Sequence, residues 1–219
     1  DMLNSNYINI IKTYFSGRDI KLIKLPVNKG ITKLESIDVT QNNIAAVIIQ
    51  SPNKYGLIEN WQDVKNKLMD ANCLLISVSD PMSLSLLKPP GECGADIFVG
   101  EAQTLGNVMS YGGPMIGLMA VKEKYKRSIP GRIIGKTTDR NNKDGFVLAL
   151  QTREQHIRRA KATSNICTNQ SLLALRTTIY LSLMGKNGLP YIAQLCYNKS
   201  QYAAKQISNL NNYSLLYSK

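Results

Sequence analysis

Histidine is nearly missing from this chain: His156 is the single one among 219 residues. Any mechanism that needs two imidazoles is therefore excluded. The four cysteines, Cys73, Cys93, Cys167 and Cys196, are scattered and form no CxxC pair. With one histidine they leave no credible zinc-ligand set, so no metal is expected. The longest purely apolar run, Ile44–Ile49, covers six residues, far short of the ~20 that a membrane-crossing helix needs. The opening Asp1-Met2-Leu3-Asn4-Ser5-Asn6 is polar and lacks the pattern of a signal peptide. A chain of this size needs no disulfides, so a reducing, cytoplasmic compartment is the expected location. What the chain does have is 43% hydrophobic residues. That excludes disorder and supports one sizeable core with room for a second small one.

Acidic residues are scarce as well, 15 against 27 Lys and Arg, for a net charge of +12. Such a balance fits an anionic partner: nucleic acid, a phosphorylated cofactor or an acidic protein. It equally fits lysines that solvate a surface, because the basic residues are spread along the chain instead of forming one tract. A nucleic-acid-binding domain would need an aromatic stacking motif or a recognition helix, and neither is present.

Periodicity divides the chain into alternating elements. Ile8, Ile11 and Phe15 mark an apolar helix face closed by Gly17. Ile20–Pro26 alternates as a strand would. Ile44–Gln50, Cys73–Ser79, Asp96–Gly100 and Met115–Val121 read as strands, the first of them β-branched and buried on both faces. Leu57, Trp61, Val64 and Leu68 predict a helix between the first two of these. The pattern is α/β: a mostly parallel sheet with helices on both faces. Beyond Pro130-Gly131, Arg132–Thr138 and Phe146–Gln151 flank an Asp144-Gly145 turn signal, which predicts a hairpin over about 131–151. Thr152 and Gln155 fit a capping box ahead of a long helix carrying Leu172, Leu175, Ile179 and Leu183. Gly185 and Gly188 interrupt it, and Pro190 restarts a helix through Ile192, Leu195 and Ile207.

In open α/β sheets, ligands sit beyond the carboxyl ends of the strands. Asp80 closes one strand, and Gly100-Glu101-Ala102-Gln103 follows the next. An acid on one strand end and a reactive group after the next is how aminotransferase-type enzymes of pyridoxal phosphate (PLP) are built. Asp before Pro is also an ordinary turn starter, so spacing leaves both readings of Asp80 open. Gly112-Gly113-Pro114 is most simply a turn entering a strand. Arg153, Arg158, Arg159 and Lys161 surround His156, either as a docking surface for an anion or as a solvated helix face. A Cys167–His156 nucleophilic pair lacks an orienting acid.

Longer strings carry a resemblance that spacing alone does not supply. Asp80-Pro81-Met82-Ser83-Leu84, Leu87-Lys88-Pro89-Pro90-Gly91-Glu92, Gly94-Ala95-Asp96 and Ser110-Tyr111-Gly112-Gly113-Pro114 occur in order. Pro130-Gly131-Arg132-Ile133, Gln151-Thr152-Arg153-Glu154-Gln155-His156-Ile157-Arg158-Arg159 and Lys161-Ala162-Thr163-Ser164-Asn165-Ile166-Cys167-Thr168-Asn169-Gln170 follow. Together they resemble the P-protein family of the glycine cleavage system, glycine dehydrogenase (decarboxylating), and within it subunit 1 of the two-subunit form. The resemblance covers essentially the whole chain.

It implies the type I PLP-enzyme fold (aspartate aminotransferase-like), here an incomplete large domain over 1–185. Residues 186–219 would form a linking helix and the start of a truncated small domain. It also implies an oxidoreductase complex that decarboxylates glycine and passes the aminomethyl group to the lipoyl arm of the H-protein. In that form a homologous catalytic subunit carries the Schiff-base lysine and binds PLP. The sister subunits place that lysine eleven residues before the proline of their Gly-Gly-Pro, and the matching slot here is Gln103. A carboxamide has no amine to offer, so this chain alone is expected to be inactive, with no catalytic residue of its own. Lys88, in a Lys-Pro-Pro loop, is a poor substitute. Thr163, Ser164 and Asn165 would reach the PLP phosphate of the partner, or simply cap a helix. Asp80 would be a vestigial form of the acid that faces the pyridinium nitrogen. Two alternatives from other classes are a purely structural pseudoenzyme subunit and the nucleic-acid-binding domain already weighed. Neither membrane nor nucleic acid is expected as a partner.

Overall fold

The computed structural model describes residues 1–35, 43–69, 72–131, 133–150, 154–162 and 170–217. Its centre is a four-stranded sheet of β3 (Ala46–Gln50), β4 (Leu74–Val78), β5 (Ile97–Glu101) and β6 (Gly117–Val121), in that order. The pairs β3–β4 and β4–β5 are parallel and β5–β6 is antiparallel. The predicted mostly parallel sheet is therefore present, with its last strand reversed. Register sets Val47 opposite Leu75 and Ile49 opposite Ser77. Those alternate positions share one face.

That face is covered by α2 (Trp61–Lys67), which begins four residues later than the Leu57 spacing predicts. Asn60 is the reason: its side chain accepts from the backbone N–H of Gln62 and Asp63 and fixes the helix start. Trp61, Val64 and Leu68 pack on Val47, Ile49 and Leu75 in the main core, and the Trp61 indole donates to the Ile49 carbonyl at 3.2 Å. Burying three such side chains contributes roughly 5 kcal/mol or more.

The amino-terminal helix α1 (Ser5–Phe15) is capped by Asn4 and ends before Gly17, whose φ of +77° suits the stop. Ile20–Pro26 is not a strand. Alternation gives an extended backbone only where a ladder partner exists, and this stretch has none among the described residues, leaving Ile20, Leu22 and Ile23 exposed. In its place a short ribbon forms between β1 (Val27–Asn28) and β2 (Ile31–Thr32), turning at Lys29 and Gly30, both with positive φ.

The later hairpin, β7 (Ile133–Thr138) with β8 (Asp144–Ala149), is where the sequence places it. Its turn is not at Asp144-Gly145, which lie inside β8. The Asp139 side chain accepts from the N–H groups of Asn141 and Lys143, and Asn142 takes the positive φ. This Asx-type closure outcompetes the Asp-Gly signal. The helix after Gln155 is also shorter than predicted. Here α3 spans only Gln155–Arg158, its N-cap Glu154 makes no side-chain bond, and Arg159 follows at φ +49°. Thr152 lies outside the described residues. The long helix, α4 (Ser171–Ser208), starts sixteen residues after Gln155 and is broken at Gly185 (φ 58°, ψ −166°) as expected, whereas Gly188 and Pro190 lie within the helix that follows the break. Its buried side, with Tyr180, Leu181, Leu189, Ile192 and Ala193, closes a second small core against Met82, Ala102, Leu105, Ile116 and Leu118.

Candidate functional site

The carboxyl ends of β4 and β5 meet in one place, and the residues singled out there do come together. Gly100 makes this possible, since a Cβ on it would stand 2.5 Å from the Ser79 carbonyl oxygen. Asp80 leaves β4 in an Asx turn: its Oδ1 accepts from the Met82 N–H at 2.9 Å and from the Thr104 hydroxyl at 2.8 Å. The Ser83 N–H and hydroxyl both donate to the Asp80 carbonyl. Asp80 is thus a turn starter that also clamps the loop after β5.

That loop is built on Glu101. Its Oε1 accepts from the N–H of Gln103 at 2.8 Å and of Ile116 at 3.2 Å, tying the two ends of the 103–116 segment together. Gln103 is half-buried, and its Nε2 donates to the Asn107 carbonyl at 2.7 Å. Gly106, at φ +87°, turns the chain where a Cβ would stand 2.6 Å from the Tyr180 ring. Asn107 then donates to the Thr177 hydroxyl of α4 at 2.8 Å, while its Oδ1 is buried without a partner among the described residues. The loop is thereby fastened to the sheet by Glu101 and to the long helix by Asn107.

Tyr7 of α1 faces the same end of the sheet. Burial pushes its phenol pKa up, and the negative charges of Glu101 and Asp80 add to that. The site is therefore acid-rimmed, and its polar atoms are mostly committed to each other.

Gln103 offers no amine after β5 for covalent attachment of PLP. Asp80 Oδ1 accepts two bonds, and the Gln103 carboxamide is itself engaged. Lys88 is exposed in its loop. His156, Arg158, Arg159 and Lys161 are exposed together around α3. Arg153, Cys167 and the Thr163, Ser164 and Asn165 segment lie outside the described residues. No group of three His, Cys, Asp or Glu side chains converges among the described residues in the manner of a metal site. No described helix is long and apolar enough to cross a membrane.

Sequence reasoning passed over Tyr7, Thr104, Asn107 and Thr177. Thr104 adjoins Gln103 and could have been found by asking what satisfies Asp80. The Asn107–Thr177 pair, separated by seventy positions, leaves no local trace.

Comparison with known proteins places this geometry in context. The family model "Glycine cleavage system P-protein" matches residues 1–219. A probable glycine dehydrogenase (decarboxylating) subunit 1 from Desulforamulus reducens is 46% identical over 214 residues, 97% of this chain and 48% of that protein. The protein of the same description from Moorella thermoacetica is 46% identical over 209 residues, 95% of this chain and 47% of its own length. A crystal structure of glycine decarboxylase (P-protein) of the glycine cleavage system, in inhibitor-bound form, superposes with a TM-score of 0.85 at 40% identity. That match covers 94% of this chain and 46% of the crystallised one. The chain spans about half the length of the relatives it matches.

Proposed function

The chain belongs to the P-protein family of the glycine cleavage system, and from that premise we propose that it serves as the non-lysine subunit of a glycine-cleaving PLP decarboxylase. Its partner is a homologous subunit that carries the lysine and the cofactor. The complex, located in the cytoplasm, takes glycine and hands the aminomethyl group to the lipoyl H-protein. The observation that carries this reading is Gln103. It stands after β5, has no amine, and donates its amide to the Asn107 carbonyl, so this chain has no group for covalent attachment of the cofactor there. The names of the relatives, each a subunit 1, support the same division of labour.

PLP, when bound to the partner, supplies the electron sink that lets the glycine carboxylate leave. This chain's share is to complete the partner's site. Thr163, Ser164 and Asn165 stand just ahead of α4, and by resemblance they present hydroxyl and amide donors to the phosphate bound next door. Exposed Arg158, Arg159 and Lys161, beside His156, add positive charge nearby in sequence. Such charge raises the rate of encounter with an acidic carrier protein more than the final affinity.

Titration of the full-length protein with PLP, alone and with its catalytic partner, tests the division. The visible cofactor band is expected only in the mixture, with the borohydride label on a lysine of the partner. A label on this chain overturns the reading of Gln103. Within the complex, Thr163→Ala combined with Ser164→Ala should weaken PLP affinity about a hundredfold or more, as expected for two lost charge-assisted bonds. Unchanged affinity would make this subunit a scaffold without cofactor contact.

A further inference from the structure

Gln103 does more than leave out an amine. Its backbone carbonyl accepts from the Asn107 N–H at 3.0 Å, and its side-chain Nε2 donates to the Asn107 carbonyl at 2.7 Å. One residue thus holds both backbone polar groups of another, four positions on. With its backbone fixed at both groups, Asn107 has few directions left for its side chain. It points inward: Nδ2 donates to the Thr177 hydroxyl at 2.8 Å and more weakly to the Ala102 carbonyl at 3.4 Å. Asn107 and Thr177 are each 7% exposed. The Asn107 Oδ1 is buried without a partner among the described residues, and an unpaired buried acceptor is costly and rare. The amide is therefore held by its backbone anchor and by Thr177, and not by a full set of partners of its own.

Thr177 belongs to the half of α4 that precedes the break at Gly185. Three residues on, and so on the same helix face, Tyr180 closes over Gly106. The half beyond the break is held in another way, by Leu189, Ile192 and Ala193 in the small apolar core. Among the described residues, the Asn107–Thr177 bond is the only side-chain hydrogen bond that ties the first half of α4 to the rim of the sheet. That rim, at the carboxyl ends of β4 and β5, is the ligand-facing one in an α/β fold. The seating of the helix on it is thus set by a short chain of contacts whose first member is Gln103.

We propose that Gln103 is a positioning residue: through Asn107 and Thr177 it fixes how the first half of α4 sits on the ligand-facing rim, and so how well the assembled enzyme holds PLP. This rests on the two-subunit reading given above, in which the residues leading into α4 complete the partner's cofactor site. The slot that offers no covalent attachment is reused, its carboxamide turned back on its own loop. Two hydrogen bonds in series carry the effect, so Gln103 and Thr177 act as one unit although they do not touch each other.

The test uses the full-length chain assembled with its catalytic partner, unaltered and as Gln103→Met, Thr177→Val, the two combined, and Thr177→Ser. Methionine and valine keep the approximate shape and remove the amide or the hydroxyl. PLP titration followed in the visible band should show Gln103→Met and Thr177→Val each weakening cofactor affinity about fivefold, the size of one lost hydrogen bond. The combined variant should lose no more than the worse single one, because both break the same chain. Thr177→Ser, which keeps the hydroxyl, should stay near the unaltered value. Glycine turnover should recover in every variant at saturating PLP. Unchanged PLP affinity in Gln103→Met, or losses that multiply in the combined variant, overturns the positioning role and leaves the two-subunit reading standing. Failure of Gln103→Met to assemble overturns it too, because the side chain would then serve the fold and not the site. If the unaltered mixture gives no cofactor band on the partner, the two-subunit reading fails and this inference with it.

Discussion

Asp96 offers the most demanding test of the energetics. Its carboxylate is 3% exposed at the start of β5. One oxygen takes the Lys122 ammonium at 2.8 Å, and the other takes Lys65 at 2.8 Å and the Leu75 N–H at 3.0 Å. One side chain thus ties α2, the end of β6 and the start of β4. Burial pushes its pKa up, yet the bonds from Lys122, Lys65 and Leu75 outweigh that and hold it at about 2, against an ordinary 3.8. Because the folded value is the lower one, the contribution is complete above about pH 5 and is lost as pH falls through about 2. Its size by linkage is about 2 kcal/mol. Asp96→Asn keeps the shape but leaves two lysines without their anion. Removing one member of a buried pair costs roughly 3–5 kcal/mol. The lower end applies, because Lys122 and Lys65 are 38% and 22% exposed. The variant should therefore lose about 3 kcal/mol near pH 7, a fall in thermal midpoint of roughly 6–12 °C. Urea melts of both proteins near pH 7 and near pH 2.5 check this, with the gap shrinking to about 1 kcal/mol at the acid end. A gap under about 1 kcal/mol at neutral pH, or one that does not change with pH, would refute the account.

Two further outcomes follow from packing and hydrogen bonding alone. Glu59 is buried and accepts from the Thr32 N–H and hydroxyl and from the Asn53 amide, which pins the β1–β2 ribbon to the end of β3. Glu59→Gln should cost about 1.5–3 kcal/mol and expose the Thr32 amide to faster hydrogen exchange, while unchanged protection would show that the ribbon is held otherwise. Gly106→Ala places a methyl 2.6 Å from Tyr180 at φ +87°. It should cost about 2 kcal/mol or more in a urea melt, and a neutral result would mean that α4 yields freely.

The sheet was legible because its strands are short apolar runs between turn signals, and Ile44–Gln50 and Cys73–Ser79 differ from β3 and β4 by only one or two residues at an end. Where the reading failed, a local pattern lacked its non-local partner or met a stronger local competitor. Ile20–Pro26 alternates with nothing to pair with, and Asp139 closes a turn that Asp144-Gly145 only advertises. The site was half legible. Asp80 and Gln103 sit at neighbouring strand ends because an α/β sheet puts them there. What engages them, Thr104 and Asn107, depends on side-chain reach across the fold, and periodicity carries no record of that. The stripe Leu172, Leu175, Ile179 and Leu183 shows the limit from the other side. Its spacing is helical, yet all four side chains are exposed, Leu172 and Leu183 at 76% each, and the buried side of the helix runs through Tyr180 and Leu181 instead.

The two outer strands of the described sheet have a consequence for what lies beyond them. Ala46–Gln50 and Gly117–Val121 contain no charged residue and no proline, the two devices that ordinarily stop a sheet edge from recruiting other extended chains. Each has a ladder partner on one side only among the described residues. Left uncovered, either strand would be a template for other extended chains, so a further strand, helix or loop is expected over each of them.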